Sequence, residues 1–309
     1  MNFWQDIKKP FLVLAPMEDV TDTVFRRIVC SCGRPDVLFT EFTNVDGICS
    51  VGKSHLIHRL RYHPIERPIV AQIWGMKPEN YLKSAQLVVE MGFDGIDINM
   101  GCPEKRVIKQ GACIKLIDNR NLANEIVLAT KEGAGNLPIS VKTRIGLNKI
   151  ATEDWIGFLL KLNLDAITIH GRIAKEMSGV PAHWDEIGKV VALKDQMQIP
   201  TLVIGNGDVL SRKDALSKVE KFGVDGVMIG RGIFSNPWLF AGREGTAREK
   251  IEKMREHIEL FDKEWGRDKN FPIMKKFFKM YIQGFPGASE MRAKFMEAES
   301  AKEALGMLG

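Results

Sequence analysis

Eight short apolar runs recur along this chain, at residues 11–15, 37–41, 69–74, 95–99, 139–143, 166–170, 201–205 and 226–230. Helix-like segments lie between most of them. Strand alternating with helix makes neighbouring strands parallel, because each helix carries the chain back across the sheet. Eight such repeats over about 220 residues predict a closed (β/α)8 barrel. An open doubly wound sheet is the competing architecture, but no Gly-x-Gly-x-x-Gly follows the first run. One helix is expected from Pro78, a favoured first-turn residue, with apolar groups at Leu82, Ala85, Val88 and Val89. Another should begin at Ser211, with Asp214 three residues on in a near capping box.

From about Gly242 the composition turns rich in Lys, Glu, Met and Ala. Ile251, Met254, Ile258, Phe261 and Trp265 recur at steps of three and four, the stripe of an amphipathic helix. Glu249–Lys253 and Glu259–Lys263 are spaced as i,i+4 pairs. Further helical segments are expected at 272–283 and about 289–305. The chain therefore reads as a barrel domain over 1–241 and a small all-helical domain over 242–309. The opening residues lack a signal-peptide pattern, and no apolar stretch approaches membrane-spanning length. A cytoplasmic protein with reduced thiols is expected. The five cysteines show no metal-ligand spacing, Cys30-Ser31-Cys32 being too tight for zinc, so no metal is expected. The net charge of +5 permits a nucleic-acid partner without requiring one.

The carboxyl ends of the eight runs carry Pro16-Met17, Glu41, Gln72, Asn99 with Cys102, Lys142 with Arg144, His170, Asn206 with Asp208, and Gly230-Arg231. A barrel's active site is built on that face. Loading nearly every strand end with a polar or ionisable group marks an enzyme. Cys102 sits in a Gly-Cys-Pro turn, accessible after Gly101 and fixed by Pro103. It reads as a thiol used in chemistry, with a buried core cysteine as the alternative. Gly205-Asn206-Gly207-Asp208 and Gly230-Arg231-Gly232 follow the last two runs, where barrels commonly hold a phosphate. Gln72, Asn99 and Lys142 are groups suited to reading the edge of a planar ring. A ring with a phosphate tail means flavin mononucleotide or a phosphorylated substrate.

Taken in order, these motifs resemble the tRNA-dihydrouridine synthases. The resemblance runs through Ala15-Pro16-Met17-Glu18-Asp19, Phe25-Arg26, Phe39-Thr40-Glu41-Phe42, Gln72, Asp97-Ile98-Asn99-Met100-Gly101-Cys102-Pro103, Ser140-Val141-Lys142-Thr143-Arg144, His170-Gly171-Arg172, Asn206-Gly207-Asp208 and Gly230-Arg231-Gly232. It extends from about Leu14 to Trp238, and more weakly from Tyr281 to Arg292. It implies an FMN enzyme that uses NADPH to reduce the C5–C6 double bond of a D-loop uridine in tRNA. By position, Pro16, Met17, Glu18, Gln72, Asn99, Lys142, His170, Asn206, Gly207, Asp208, Gly230 and Arg231 correspond to cofactor contacts, Asn99 and His170 lying between flavin and uracil. Cys102 corresponds to the proton donor. An ordinary thiol, with a pKa of about 8.5, is mostly protonated at neutral pH and could protonate C5 after hydride enters at C6.

Asn99, Arg144, Arg172, Lys275, Lys276, Lys279, Arg292 and Lys294 are the expected substrate and tRNA contacts, on a chain expected to act as a monomer. The chain departs from the resemblance at two places. Cys113 stands at a usual glycine position, and the 173–179 loop lacks the familiar residues, so the target uridine cannot be carried over. Two other readings use the same residues: a flavin barrel acting on a free pyrimidine, and a flavin-free barrel using Lys142 for Schiff-base chemistry on a sugar phosphate.

Overall fold

The computed structural model describes residues 2–308. Met1 and Gly309, the outer limits of the two expected domains, lie outside the described residues. Eight parallel strands follow one another around a barrel: β1 (Phe11–Leu14), β2 (Leu38–Phe39), β3 (Ile69–Trp74), β4 (Gly95–Met100), β5 (Ile139–Arg144), β6 (Ala166–His170), β7 (Leu202–Asn206) and β8 (Gly226–Ile229). β8 pairs with β1, and a Val13–Val37 bridge closes the circuit between β1 and β2. The run expected at 37–41 yields only a two-residue strand. There the Thr40 side-chain oxygen takes the Gln72 N–H, in place of a main-chain carbonyl.

Period-two alternation decides which side chain goes where. Ile96, Ile98 and Met100 of β4, like Ile167 and Ile169 of β6, pack in the large core shared with the surrounding helices. Phe11, Val13, Val37, Phe39, Val70, Ile204 and Met228 form a separate inner core, plugged at its base by Trp4. Continuing the same alternation, Gln72, Asp97, Asn99, Ser140, Lys142 and Thr168 stand on the inner face, so one side of the barrel interior is polar.

The Pro78–Glu90 helix has Pro at its first turn, but its buried face is Tyr81, Ser84, Ala85 and Val88; Val89 is 42% exposed. Ser211 caps Arg212–Phe222 by accepting the Asp214 N–H. In the tail, Ala247–Trp265 buries Met254, Ile258, Phe261 and Trp265, and adds His257, whose Nδ1 lies 2.8 Å from the Tyr281 hydroxyl. The expected i,i+4 pairs do not form among the described residues. Glu249 instead closes the capping box with Thr246 and pairs with Arg243, while Lys253 turns to Glu256 and Ser31. The segment expected at 289–305 is two helices, Ala288–Glu297 and Ala301–Gly306, because Ser300 caps the second.

The tail packs on the barrel beside β1. Phe277 stacks on Phe25 with centroids 5.2 Å apart, Lys269 pairs with Asp22 at 3.0 Å, and Lys276 Nζ donates to the Asp19 carbonyl. The 16–22 loop thus touches both the barrel mouth and the tail.

Candidate active site at the carboxyl end of the barrel

Gln72, Asp97 and Ser140 occupy one register row across β3, β4 and β5, all fully or almost fully buried. Asp97 accepts from Gln72 Nε2 at 2.7 Å and from Ser140 Oγ at 2.6 Å. Burial pushes its carboxyl up to about 6. Gln72 Oε1 accepts from Asn99 Nδ2 at 3.0 Å, and Asn99 Oδ1 accepts the main-chain N–H groups of Gly101 and Cys102, each at 3.0 Å. From the other side, Arg144 Nε donates to the Gly101 carbonyl at 3.0 Å. Gly101 lies so close to β5 that a Cβ there would stand 3.1 Å from Thr143 Cα. The Cys102 loop is therefore clamped on both flanks.

Half-buried Cys102 packs against Val107, Ala112 and Cys113, beside Trp74 and Met76. Both thiols are free. Cys113 is 1% exposed and its φ is +52°, in the left-handed region that a Cβ disfavours. That backbone shape accounts for glycine being usual at this position. The Cys113 thiol packed beside it brings Cys102 down to about 7, while burial, with Cys102 next to it, pushes Cys113 up. Cys102 is thereby a more acidic thiol than the ordinary one expected.

A cavity of about 320 Å³ lies in the same mouth, lined by Pro16, Met17, Lys142, His170, Asn206, Gly207, Asp208, Gly230 and Arg231, with Arg172. Gly207 adopts φ +128°, and a Cβ there would meet Ala182 Cβ at 2.6 Å, so the turn requires glycine. Asn206 Nδ2 donates to the Met228 carbonyl at 2.8 Å, tying β7 to β8. Positive charge dominates. Burial, with Arg144, Lys142, Arg172 and Arg231 around it, holds His170 far below the usual imidazole range, so the ring is neutral. Burial and Arg144 lower Lys142 to about 8.

Three groups await a partner. Among the described residues Lys142 makes no hydrogen bond or ion pair, exposed Arg231 makes none, and Thr168 Oγ1, in the register row of Lys142, is buried without one. Half-buried Lys142 and exposed Arg231 leave two cations facing the cavity, where an anion or acceptor would meet them. The donor set fits a phosphorylated, electron-accepting ring.

Other expected residues lie elsewhere. Glu18 does not border the cavity; it pairs with Arg59, which also lies 3.7 Å from Glu41. Burial and the nearby Asp22 push Glu41 up to about 7. Gln72 and Asn99 belong to the chain of amides beneath the thiol loop. Arg144 and Arg172, expected to face RNA, are 8% and 3% exposed. Arg144 also reaches the Ile173 carbonyl at 3.3 Å, and Arg172 donates to the Val180 carbonyl and pairs with Asp208, which in turn accepts the Ala182 N–H. Both guanidiniums are used in holding the 173–182 loop. In the tail, Lys279 and Lys294 are exposed and Lys275 half-buried, whereas Arg292 donates to the Ile282 carbonyl. Asp97, Ser140, Thr168 and Arg59 had no role assigned from sequence. Asp97 and Ser140 had a usable signal, being polar residues at inward positions of otherwise apolar strands.

The family model "Dihydrouridine synthase (Dus)" matches residues 13–308. A Staphylococcus aureus (strain COL) protein named "Probable tRNA-dihydrouridine synthase" is 45% identical over 99% of this chain and 94% of its own length. A Bacillus subtilis (strain 168) protein named "Probable tRNA-dihydrouridine synthase 2" is 44% identical over 99% and 95%. Among solved structures, histamine dehydrogenase from Rhizobium sp. 4-9 superposes with TM-score 0.57 at 13% identity, over 81% of this chain and 48% of that one. The 6-hydroxypseudooxynicotine amine oxidase of Pseudomonas geniculata N1 gives 0.55 at 14%, over 80% and 50%. These two likenesses carry the barrel fold alone. The family match and the near-full-length identity go further: this chain belongs to the dihydrouridine synthase family.

Proposed function

We propose that this chain reduces the C5–C6 double bond of a D-loop uridine in tRNA, using FMN, with NADPH as reductant and Cys102 as proton donor. The observation that carries the reading is a free thiol on a clamped loop, in the same mouth as a cationic cavity lined by half-buried Lys142 and exposed Arg231, both without a protein partner among the described residues. Arg231, with the Gly207 and Gly230 backbone, would hold the FMN phosphate; Lys142 would supply positive charge at the ring, and Pro16 and Met17 an apolar wall. When bound, FMN supplies the hydride that enters at C6. Cys102 holds the proton for C5, and a pKa near the working pH suits a general acid. Neutral His170 offers one donor and one acceptor to the substrate side.

A uridine stacked in folded tRNA must be extruded to reach this mouth, at a cost of a few kcal/mol that contacts elsewhere on the RNA must offset. Residues 242–309 serve that purpose in this reading and 1–241 the chemistry. Lys275, Lys276, Lys279, Arg292 and Lys294 lie on the part of the tail that reaches the 16–22 loop and the β8 end, where Gln283 Nε2 donates to Ser235. No described helix is long and apolar enough to cross a membrane. The proposed setting is cytoplasmic, with the protein acting as a monomer on tRNA.

The direct test supplies purified protein, NADPH and unmodified tRNA and maps dihydrouridine along the product. A yellow protein that reduces tRNA and ignores free uridine and orotate is the expected result. A colourless preparation, or equal turnover of free pyrimidines, would overturn the reading.

The charges at the mouth set two further expectations. Arg231→Ala should weaken FMN retention at least tenfold with the fold unchanged, since it removes an exposed cation with no structural partner. FMN retention should also decline as pH rises through about 8, where Lys142 loses its charge, and Lys142→Met should remove that pH dependence. Equilibrium dialysis against FMN between pH 6.5 and 9 reads both. In the tail, Lys275→Gln, Lys279→Gln and Lys294→Gln together should lower the slope of log affinity for tRNA against log salt by roughly 0.7–0.9 for each phosphate no longer neutralised. An unchanged slope would place RNA docking elsewhere.

A further inference from the structure

We propose that Asp97 is a positioning residue that fixes the Cys102 loop by dictating the direction of two buried amides. A carboxylate has acceptors only, so Gln72 must turn its NH₂ toward Asp97, as the 2.7 Å contact shows. That leaves Gln72 Oε1 pointing away, where it can only accept, and Asn99 must bring Nδ2 to it at 3.0 Å. With its NH₂ committed, Asn99 presents Oδ1 to the N–H groups of Gly101 and Cys102. Reversing either amide would set donor against donor somewhere in the chain. All of these groups are buried, where an unmatched donor has no water to turn to. Ser140, the other partner of Asp97, is a hydroxyl that can turn to suit either role, so it adds no direction of its own. The orientation of the thiol loop is therefore specified from two strand positions below it, by a residue that touches neither cavity nor thiol.

The consequence for catalysis rests on the proposed proton-donor reading of Cys102; the consequence for the loop does not. The test reads amide hydrogen exchange at Gly101 and Cys102, which Asn99 Oδ1 protects. Asp97→Asn keeps size and can still satisfy Ser140, but an amide can offer either end to Gln72. With the direction then held only from the loop end, protection at these two N–H groups should fall severalfold. Adding Asn99→Asp should restore it, because a carboxylate at 99 accepts from both N–H groups whatever lies beneath. Unchanged protection in Asp97→Asn, or no restoration in the double variant, would overturn the proposal. Should Asp97→Asn not fold, Gln72→Met decides. It removes the middle link and should also cost protection, and unchanged exchange there would be equally fatal. In folded Asp97→Asn, kcat for tRNA reduction should fall with KM for tRNA and FMN retention held. If Cys102→Ala proves fully active, the donor reading fails while the exchange result still judges the amide chain.

Discussion

Cys102→Ala is expected to keep FMN and NADPH oxidation while losing about 10²–10⁴-fold in tRNA reduction, the usual contribution of a positioned acid. The loss should fall on kcat, because the side chain packs beside the mouth and does not line the cavity. The sign of its pH dependence follows from the thiol brought down to about 7. A proton donor is competent below its pKa, so the rate limited by C5 protonation should drop as pH rises through about 7. Cys113→Gly separates the two thiols. Glycine accepts the left-handed backbone at 113 freely, so the loop should keep its shape while the thiol beside Cys102 disappears. The falling limb should then move to higher pH, with much more activity left than in Cys102→Ala. Single-turnover reduction of tRNA across pH 6–9 checks both; a limb unmoved in Cys113→Gly would remove Cys113 from the account.

Arg26→Met should cost about 3–5 kcal/mol of stability, the magnitude for breaking one partner of a buried ion pair. Arg26 and Glu66 are both fully buried, 2.5 Å apart. Arg26 also donates to the Thr21 carbonyl at 2.6 Å and the Arg61 carbonyl at 2.7 Å, and Glu66 accepts from Thr23 and the His63 N–H. Losing Arg26 strands a buried carboxylate. The double variant Arg26→Met, Glu66→Met should be less destabilised than the sum of the two single variants, since it leaves no buried charge. Urea unfolding of the three variants measures this. FMN retention should fall in Arg26→Met too, because Thr21 Oγ1 accepts the Met17 N–H and so anchors the cavity wall.

The strands were legible because short apolar runs alternate with helix-like segments, although the run at 37–41 gave only two strand residues; Gln72, Asn99, Lys142 and His170, at the ends of such runs, fall on inward positions of the strands. The tail helices were legible from the stripe through Met254, Ile258 and Trp265. Their ion pairs were not, because i,i+4 spacing on an exposed face competes with capping: Glu249 found Thr246 and Arg243 in place of Lys253. The 289–305 segment was misread as continuous because Ser300 is an ordinary residue until its hydroxyl meets the Glu303 N–H.

Alternation of strand and helix, glycine turns and the Gly-Cys-Pro motif together determined a barrel with a thiol and a glycine-rich, cationic rim at one end. Only the tertiary structure decided what each polar group does there. Arg144 and Arg172 carry the same charge as Arg231 in sequence, yet packing commits the first two to carbonyls and Asp208 and leaves the third exposed at the rim. Cys113 became a partner of Cys102 because a left-handed backbone turns it beneath the loop. Asp97 acquired its control over the loop from three strands in register. A strand pattern fixes which face a side chain is on, whereas its hydrogen-bond partner comes from neighbours distant in the chain, and a buried donor or acceptor must take the one that packing supplies.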